Sequence, residues 1–104
     1  MLKAVPLDPK ILKHCAAALR TLSHPDRLRI VEALEQGPLD VSDLTTRLRR
    51  PQATVSQHLK ELKSAGIIQG SVQGPKTCYC LSASALALLK ATIAQLQTPA
   101  DPCC

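Results

Sequence analysis

Five cysteines are the residues of this chain best suited to soft-metal or redox chemistry. Cys78 and Cys80 are separated by one residue, so their side chains point to the same side if the segment is a β-strand. The others are Cys15 and the C-terminal pair Cys103 and Cys104. Thiolates select thiophilic ions such as arsenite, antimonite, cadmium or zinc, and oxidants convert thiols to disulfides. The cysteines therefore allow a metal site, a redox sensor, or ordinary packing and surface positions without such chemistry.

The stretch PQATVSQHLKELKSAG, residues 51–66, concentrates a second kind of chemistry. Its apolar residues Val55, Leu59 and Leu62 form one stripe of a helix. The rest of its surface is small and basic: one glutamate stands against two lysines, two serines, two glutamines and a threonine. A surface helix usually mixes acids and bases more evenly. This face is therefore suited to hydrogen bonding with a polar, anionic partner.

The composition of the whole chain agrees with such a partner. A length of 104 residues predicts one domain, and a net charge of +5 favours a polyanion, either nucleic acid or an anionic membrane surface. Tyr79 is the only aromatic residue, so the core must be aliphatic. A core that small is easier to complete by dimerisation than alone.

The sequence also excludes several classes of protein. No apolar run approaches the roughly 18 residues of a membrane span, and residues 1–15 lack the continuous apolar segment of a signal peptide. We therefore expect a cytoplasmic protein with reduced thiols. Neither C-x-C nor the terminal CC is the C-x-x-C of a thiol oxidoreductase, and no Ser/His/Asp or paired-carboxylate group is visible, so we predict that it is not an enzyme.

Helical periodicity predicts two N-terminal helices. The first covers residues 10–22. The second begins at Pro25, with His24 in the N-cap position, and ends at the Gly-Pro pair 37–38. Its buried stripe is predicted to consist of Leu28, Val31 and Leu34.

A helix-turn-helix is predicted next. Asp40 is the expected N-cap of a third helix, and Asp43 completes a variant of the capping box. Only residues 49–51 separate this helix from the helix of residues 51–66, which Gly66 ends. Two helices joined so tightly form a helix-turn-helix.

In the C-terminal third, the spacing of the apolar residues changes from the helical period to that of β-strands. Two β-type runs flank Gly74-Pro75 and predict a hairpin. Ser82 then caps a helix of residues 83–97 that is apolar all round, which favours burial on two sides. We predict a mainly α fold with a small β-hairpin, a winged helix-turn-helix whose extra N- and C-terminal helices form a dimer interface. The domain covers residues 1–98, and residues 99–104 form a short Cys-ending tail.

Four segments in this order resemble the ArsR/SmtB family of bacterial transcriptional repressors: SHPDRLRIVEAL, DVSDLTTRL, ATVSQHLKELKSAGII and the hairpin ending CYCL. The resemblance covers residues 11–96. It implies a homodimer that binds double-stranded operator DNA, needs no cofactor to do so, and leaves when an inducer binds. No membrane partner is expected. Inducers in the family include metal ions, arsenite or antimonite, and oxidised or persulfide sulfur.

The polar face of residues 51–66 is then the expected DNA-recognition surface. Glutamine pairs with adenine, and lysine with guanine or phosphate; hydroxyl groups bind phosphates. Gln57, at the centre of the face, is the predicted base-reading residue. The predicted DNA contacts are Gln52, Thr54, Ser56, Gln57, Lys60 and, just after the wing tip, Lys76.

Further basic and histidine residues flank this face. Arg47, Arg49 and Arg50 either clamp the DNA backbone or form a solvated turn. His58 lies at the edge of the apolar stripe and is expected to pack against the core rather than read a base. The family's arginine beside the wing tip is replaced by Pro75.

Two inducer sites of the family are missing from this sequence. The arsenic-type Cys-Val-Cys at the start of the third helix is replaced by Asp40-Val41-Ser42. Residues 83–97 contain no Asp, Glu, His or Cys, which removes the zinc-type ligands and the persulfide-sensing cysteine of the last helix.

The remaining thiols define the expected inducer site. The first and last helices pair at the dimer interface of the family, so the tail can bring Cys103 and Cys104 near Cys15. Three thiols suit a trivalent arsenic or antimony centre, and cadmium or zinc are further candidates. Cys78 and Cys80 form a rival pair, although two ligands rarely fill a zinc sphere. The alternative function is a thiol-based redox or reactive-sulfur sensor of the same fold.

Overall fold

Residues 7–97 and residue 100 are described by this computed structural model, and they form five helices and three strands. In chain order the elements are α1 (Pro9–Leu22), α2 (Pro25–Leu34), β1 (Leu39–Asp40), α3 (Val41–Leu48), α4 (Gln52–Ser64), β2 (Ile68–Gln73), β3 (Lys76–Leu81) and α5 (Ala83–Ala94). Among the helices of this part of the chain, none is long and apolar enough to cross a membrane.

Side-chain caps fix where the helices begin. His24 Nδ1 accepts the backbone N–H of Asp26 at 3.2 Å, and Ser82 Oγ accepts that of Ala85 at 3.3 Å. Asp40 and Asp43 exchange two hydrogen bonds, of 2.8 and 3.2 Å, between each side chain and the other backbone N–H. Each cap satisfies N–H groups that have no partner inside the helix. The predicted caps are confirmed.

Glycine ends α4 as the sequence predicts. Gly66 has a φ of +78°, the left-handed region in which a side chain is strained. Its N–H binds the carbonyl of Lys63 at 2.9 Å, and the N–H of Ile67 binds that of Leu62 at 3.1 Å. This pair of bonds closes the helix and turns the chain directly into β2.

The wing is a three-stranded antiparallel sheet in the order β1-β3-β2. The predicted hairpin is β2 and β3, with Gln73 opposite Lys76 at its tip. Strand β1 was not predicted; it pairs Leu39 with Tyr79 and Asp40 with Cys78. Two residues are too few to show an alternating pattern, so only the folded chain reveals this strand.

The core lies between the helices and the base of the wing. Its fully buried side chains are Ile30, Leu44, Val55, Leu59, Leu62, Ile67 and Ile68. The predicted stripe of α2 is wrong at Leu28, which is 54% exposed, whereas Ile30 is fully buried. Apolar residues occur on several sides of α2, so periodicity alone allowed two rotations of the helix.

Helix α5 ends at Ala94, three residues before the predicted end, and packs on α1. Leu89 is buried, but Ile93 and Leu96 are 45% and 69% exposed. On α1, Leu12 and Leu19 are 44% and 46% exposed. Helices α1 and α5 and the turn after α5 thus carry four exposed large apolar side chains, which we call together the α1–α5 surface: Leu12, Leu19, Ile93 and Leu96.

Candidate nucleic-acid interface

Helix α4 buries one face and presents the other to solvent. Val55, Leu59 and Leu62 are at most 1% exposed and fix the helix on the core. The opposite face carries four exposed side chains, with Thr54 half-buried beside them: Gln52, Ser56, Gln57 and Lys60. The structure therefore brings the five residues predicted on this helix onto one accessible surface.

The start of α4 offers backbone donors as well. Pro51 occupies the N-cap position, and no side chain of the described residues caps the helix there. The N–H groups of the first turn have no intrahelical partner, and the helix dipole places positive potential at this end. Such an end binds phosphate readily. Gln52 and Thr54 lie in this first turn.

The amide of Gln57 is held by its own helix. Its Nε2 donates to Glu61 Oε1 at 3.2 Å, one turn further along. A glutamine amide has two N–H groups and a carbonyl oxygen. One N–H and the oxygen remain available, and this is the pair that a bidentate contact with adenine uses. The bond to Glu61 therefore orients the amide and leaves its second N–H and its oxygen free to bind a base.

Lys76 stands on the wing, outside α4, with 67% of its side chain exposed. Its Nζ lies 3.3 Å from Asp40 Oδ2 at the start of α3. An open cleft of about 280 Å³ lies between the wing and α3, lined by both residues and by Pro75 and Tyr79. The ammonium group faces solvent, but it already has an anionic partner.

The three arginines of the helix-turn-helix differ in their surroundings. Arg47 and Arg49 are exposed, and Arg49 has a φ of +55° at the end of α3. Arg50 instead donates through Nε to both carboxylate oxygens of Asp26, at 3.2 and 3.4 Å. Arg50 therefore joins the α3–α4 turn to the start of α2, a role that the local sequence does not indicate.

His58 packs inward, as the sequence predicts, but it belongs to a polar cluster whose members are too far apart in sequence to be predicted. Its ring is 7% exposed and lies 4.5 Å, centroid to centroid, from that of His24. His58 Nδ1 accepts from Arg27 Nε at 3.1 Å, and its Nε2 lies 3.8 Å from Asp26 Oδ2. Burial, followed by the charges of His24 and Arg27, lowers the pKa of His58.

The cluster of His24, Asp26 and His58 has the composition of a metal site, since ligand atoms of the three lie within 4.8 Å of one another. Its hydrogen bonds oppose that role. Both Nδ1 atoms already accept N–H groups, so a metal at either Nε2 would have to shift a proton and break a bond. The guanidinium groups of Arg27 and Arg50 also add positive charge. We therefore interpret the cluster as a structural network.

The cysteines are separated into different places. Cys15 on α1 is 4% exposed. Cys78 and Cys80 on β3 are half-buried, and Cys78 Sγ lies 3.8 Å from Gln73 Oε1. Cys103 and Cys104 lie outside the described residues. The proposed three-thiol site thus has one member, Cys15, whose surroundings are defined.

The sequence of this chain is similar to those of known bacterial regulatory proteins. Residues 24–69 match the profile described as bacterial regulatory protein, arsR family. The HTH-type transcriptional regulator NmtR of Mycobacterium tuberculosis is 35% identical over 78 residues, which cover 75% of this chain and 65% of NmtR. The chain thus spans less than two thirds of that relative. The HTH-type transcriptional regulator Rv2034 of the same organism is 36% identical over 83 residues, covering 80% of this chain and 78% of Rv2034.

A solved structure has the same architecture. It is the homodimeric winged helix-turn-helix DNA-binding domain of a possible ArsR-family transcriptional regulator from Mycobacterium bovis. The TM-score is 0.70 at 25% identity, covering 88% of this chain and 89% of the other. The fold predicted from sequence, a winged helix-turn-helix with additional terminal helices, is confirmed.

Proposed function

Since this chain belongs to the arsR family of bacterial regulatory proteins, we propose that it is a transcriptional repressor whose dimer places two copies of α4 in successive major grooves of operator DNA. The observation that carries the proposal is the division of α4 into a buried apolar face and an exposed face of amide, hydroxyl and ammonium groups. Such groups match base edges and phosphates. Such a repressor would act in the cytoplasm, where bacterial DNA lies.

Each predicted contact has a definite role in this proposal. Gln57 reads a base through its free N–H and oxygen. Gln52, Thr54 and the first-turn N–H groups bind a phosphate, and Ser56 and Lys60 extend the footprint along the groove. Lys76 reaches a phosphate beside the wing. Arg47 and Arg49 add attraction to the DNA backbone, because both are exposed at the C-terminal end of α3.

The α1–α5 surface is the proposed dimer interface. Its four leucine and isoleucine side chains are 44% to 69% exposed in the single chain. Burying such side chains against a second copy removes apolar surface from water and is favourable. The homodimeric state of the Mycobacterium bovis domain supports this assignment.

The proposed inducer is a thiophilic metal or metalloid, with arsenite as the first candidate. Cys15, Cys103 and Cys104 would supply three thiolates, the donor set that soft ions select. Because Cys15 is only 4% exposed, a bound ion would have to displace the side chains that cover it. Helix α1 packs on α5, so this displacement would alter the geometry of the proposed interface. Release requires a ligand that binds the altered geometry more tightly.

A redox or reactive-sulfur signal at Cys78 and Cys80 is the second candidate. The two thiols share one side of β3 and are half-buried, so both are accessible to a small oxidant. Residues two apart on a strand have Cα atoms about 6.6 Å from each other, near the upper limit for a disulfide. A direct disulfide here would distort β3 and move the wing.

Selection of bound sequences from a random DNA library tests the proposed function. We expect an imperfect palindrome with half-sites about one helical turn, or a multiple of it, apart. Gln57→Ala should weaken binding by roughly 1–3 kcal/mol and relax preference at one position of each half-site. Gln36→Ala, at an exposed glutamine in the turn after α2, is the matched control. Failure to enrich any sequence would contradict the proposal, and equal behaviour of the two variants would contradict the role of Gln57.

A further inference from the structure

The guanidinium group of Arg27 connects three helices. From α2 it donates through Nε to His58 Nδ1 on α4 at 3.1 Å, and through Nη1 to the carbonyl oxygen of Thr21 on α1 at 3.2 Å. Both bonds are partly shielded from water. Arg27 thus ties the recognition helix to the end of the helix that carries half of the α1–α5 surface.

The bond to His58 constrains the rotation of α4. His58 directly follows Gln57 on α4, about 100° further around the helix axis, so that His58 is buried in the cluster while Gln57 is exposed to solvent. A rotation of α4 that moved His58 away from Arg27 would carry Gln57 with it. Base readout depends on placing the amide within a fraction of an ångström.

Only the neutral form of His58 can make this bond. Arg27 always donates, so Nδ1 must carry a free lone pair, and the proton of the neutral ring is on Nε2. A protonated imidazole carries N–H on both nitrogens. Nδ1–H would then face Arg27 Nε–H, two donors with like charge.

The groups around His58 do not compensate for a second positive charge. Those facing it are His24, Asp26 and Arg27 from the start of α2 and Arg50 from the α3–α4 turn. Asp26 alone is anionic, and it is already bound to Arg50 through both oxygens. Protonation would therefore favour an arrangement in which the His58 ring and the Arg27 guanidinium separate.

We propose that the Arg27–His58 bond is a pH-sensitive lock on the recognition helix: neutral His58 is a positioning residue that holds α4 in the DNA-reading orientation, and its protonation weakens specific DNA binding. This inference rests on the proposed function as a DNA-binding repressor. Acidification then acts in the opposite direction to its usual effect, since positive charge added to a protein strengthens its attraction to DNA.

The affinity for the selected operator, measured by fluorescence anisotropy between pH 7.5 and 5.5 at constant ionic strength, tests the lock. We expect wild-type affinity to fall progressively across this range, since a protonated His58 must lose its proton before α4 takes the DNA-reading orientation. His58→Asn should abolish the fall, because the asparagine oxygen occupies the position of Nδ1 and does not titrate. Each variant is compared with itself at two pH values, so a uniform change in affinity does not affect the result.

Two further variants test whether another histidine causes the fall in affinity. His14→Asn, at an exposed position of α1, should keep the wild-type fall. His24→Asn preserves an N-cap acceptor and should also keep the fall, with its midpoint at higher pH, because the charge of His24 lowers the pKa of His58. If the fall in affinity disappears in His24→Asn and persists in His58→Asn, its source is His24, the N-cap of α2, and the lock is overturned.

Other results of these titrations would also overturn the lock. Equal profiles for wild type and His58→Asn, or a wild-type affinity that rises on acidification, would overturn the lock and leave the proposed function standing. No DNA binding by wild type at any pH would overturn the proposed function and the lock together. Should His58→Asn lose its helical circular dichroism, Arg27→Met provides the same test, because it removes the donor that the lock requires, and a fall retained in that variant overturns the proposal.

Discussion

Lys76 at the tip of the wing and Asp40 at the start of α3 form an ion pair, with Nζ 3.3 Å from Oδ2. Asp40 uses its other oxygen to cap α3, accepting the N–H of Asp43 at 2.8 Å. The hydrogen bond from the Asp43 backbone, followed by contact with Lys76, lowers the pKa of Asp40 against the opposing effect of burial. Asp40 therefore competes with a DNA phosphate for the ammonium group of Lys76.

Removing the charge of Asp40 should strengthen DNA binding. Asp40→Asn keeps an oxygen that caps α3 but releases Lys76 from its anionic partner. We expect an affinity about two- to fivefold higher for any DNA sequence, the range of an exposed ion pair, and a steeper salt dependence. Titrations at several salt concentrations measure both.

The matched variants identify Lys76 as the source of that gain. Lys76→Ala should weaken binding to all sequences alike and reduce the salt slope by about one. In the Asp40→Asn background the same change should erase the gain, a coupling that the double-mutant cycle measures. Lys90→Ala, at an exposed position of α5, is the control for total charge. If Asp40→Asn strengthens binding equally with or without Lys76, the ion pair is not the cause.

Charged side chains on the α1–α5 surface should prevent dimerisation. Leu19→Glu combined with Ile93→Glu would place four carboxylates in a dimer interface, where unpaired charges are costly. Sedimentation should show a folded monomer with much weaker operator binding. Leu28→Glu is the control, because Leu28 is 54% exposed on α2, outside this surface. A double variant that remains dimeric would place the interface elsewhere.

Loss of the terminal thiols should remove the response to arsenite. A Cys103→Ser, Cys104→Ser variant is expected to bind the operator normally and to stay bound when arsenite is added. Cys78→Ser, Cys80→Ser should release it as wild type does. Because soft ions bind thiolates, release should require less arsenite as the pH rises.

The reverse pattern would identify the other candidate sensor. If the Cys78→Ser, Cys80→Ser variant alone fails to respond, and peroxide or polysulfide releases wild type, the wing carries a redox switch. If both variants respond to arsenite, these four thiols are not the inducer site.

Folding stability should fall on mild acidification. Burial, together with His24 and Arg27, lowers the pKa of His58 below its ordinary value of 6.5. Between 6.5 and the lowered value the unfolded chain binds a proton that the folded chain does not, so stability decreases as the pH falls through this window. Urea titrations should show this loss in wild type and a smaller loss in His58→Asn. Equal losses would show that His58 is not the titrating group.

The local elements of this protein follow from its sequence because their causes lie within a few residues. Asp40 and Asp43, Ser82 and Ala85, and Gly66 with the preceding turn act over one helical turn, and the 3.6-residue period places Val55 and Leu59 inside. The polar face of α4 is predictable for the same reason, since a residue is exposed when its neighbours one turn away are exposed.

The connections between elements were decided only by the tertiary structure. Arg27 and His58 are 31 residues apart in sequence, and Asp26 and Arg50 are 24 apart. No periodicity links such positions, and the sequence placed His58 against the core without indicating its polar partners. The choice of Ile30 over Leu28 for the core, and the pairing of β1 with β3, likewise depend on the surfaces that surround them. Local sequence therefore determined which residues of α4 face solvent, whereas packing against α2 and the wing decided which partners hold them in place.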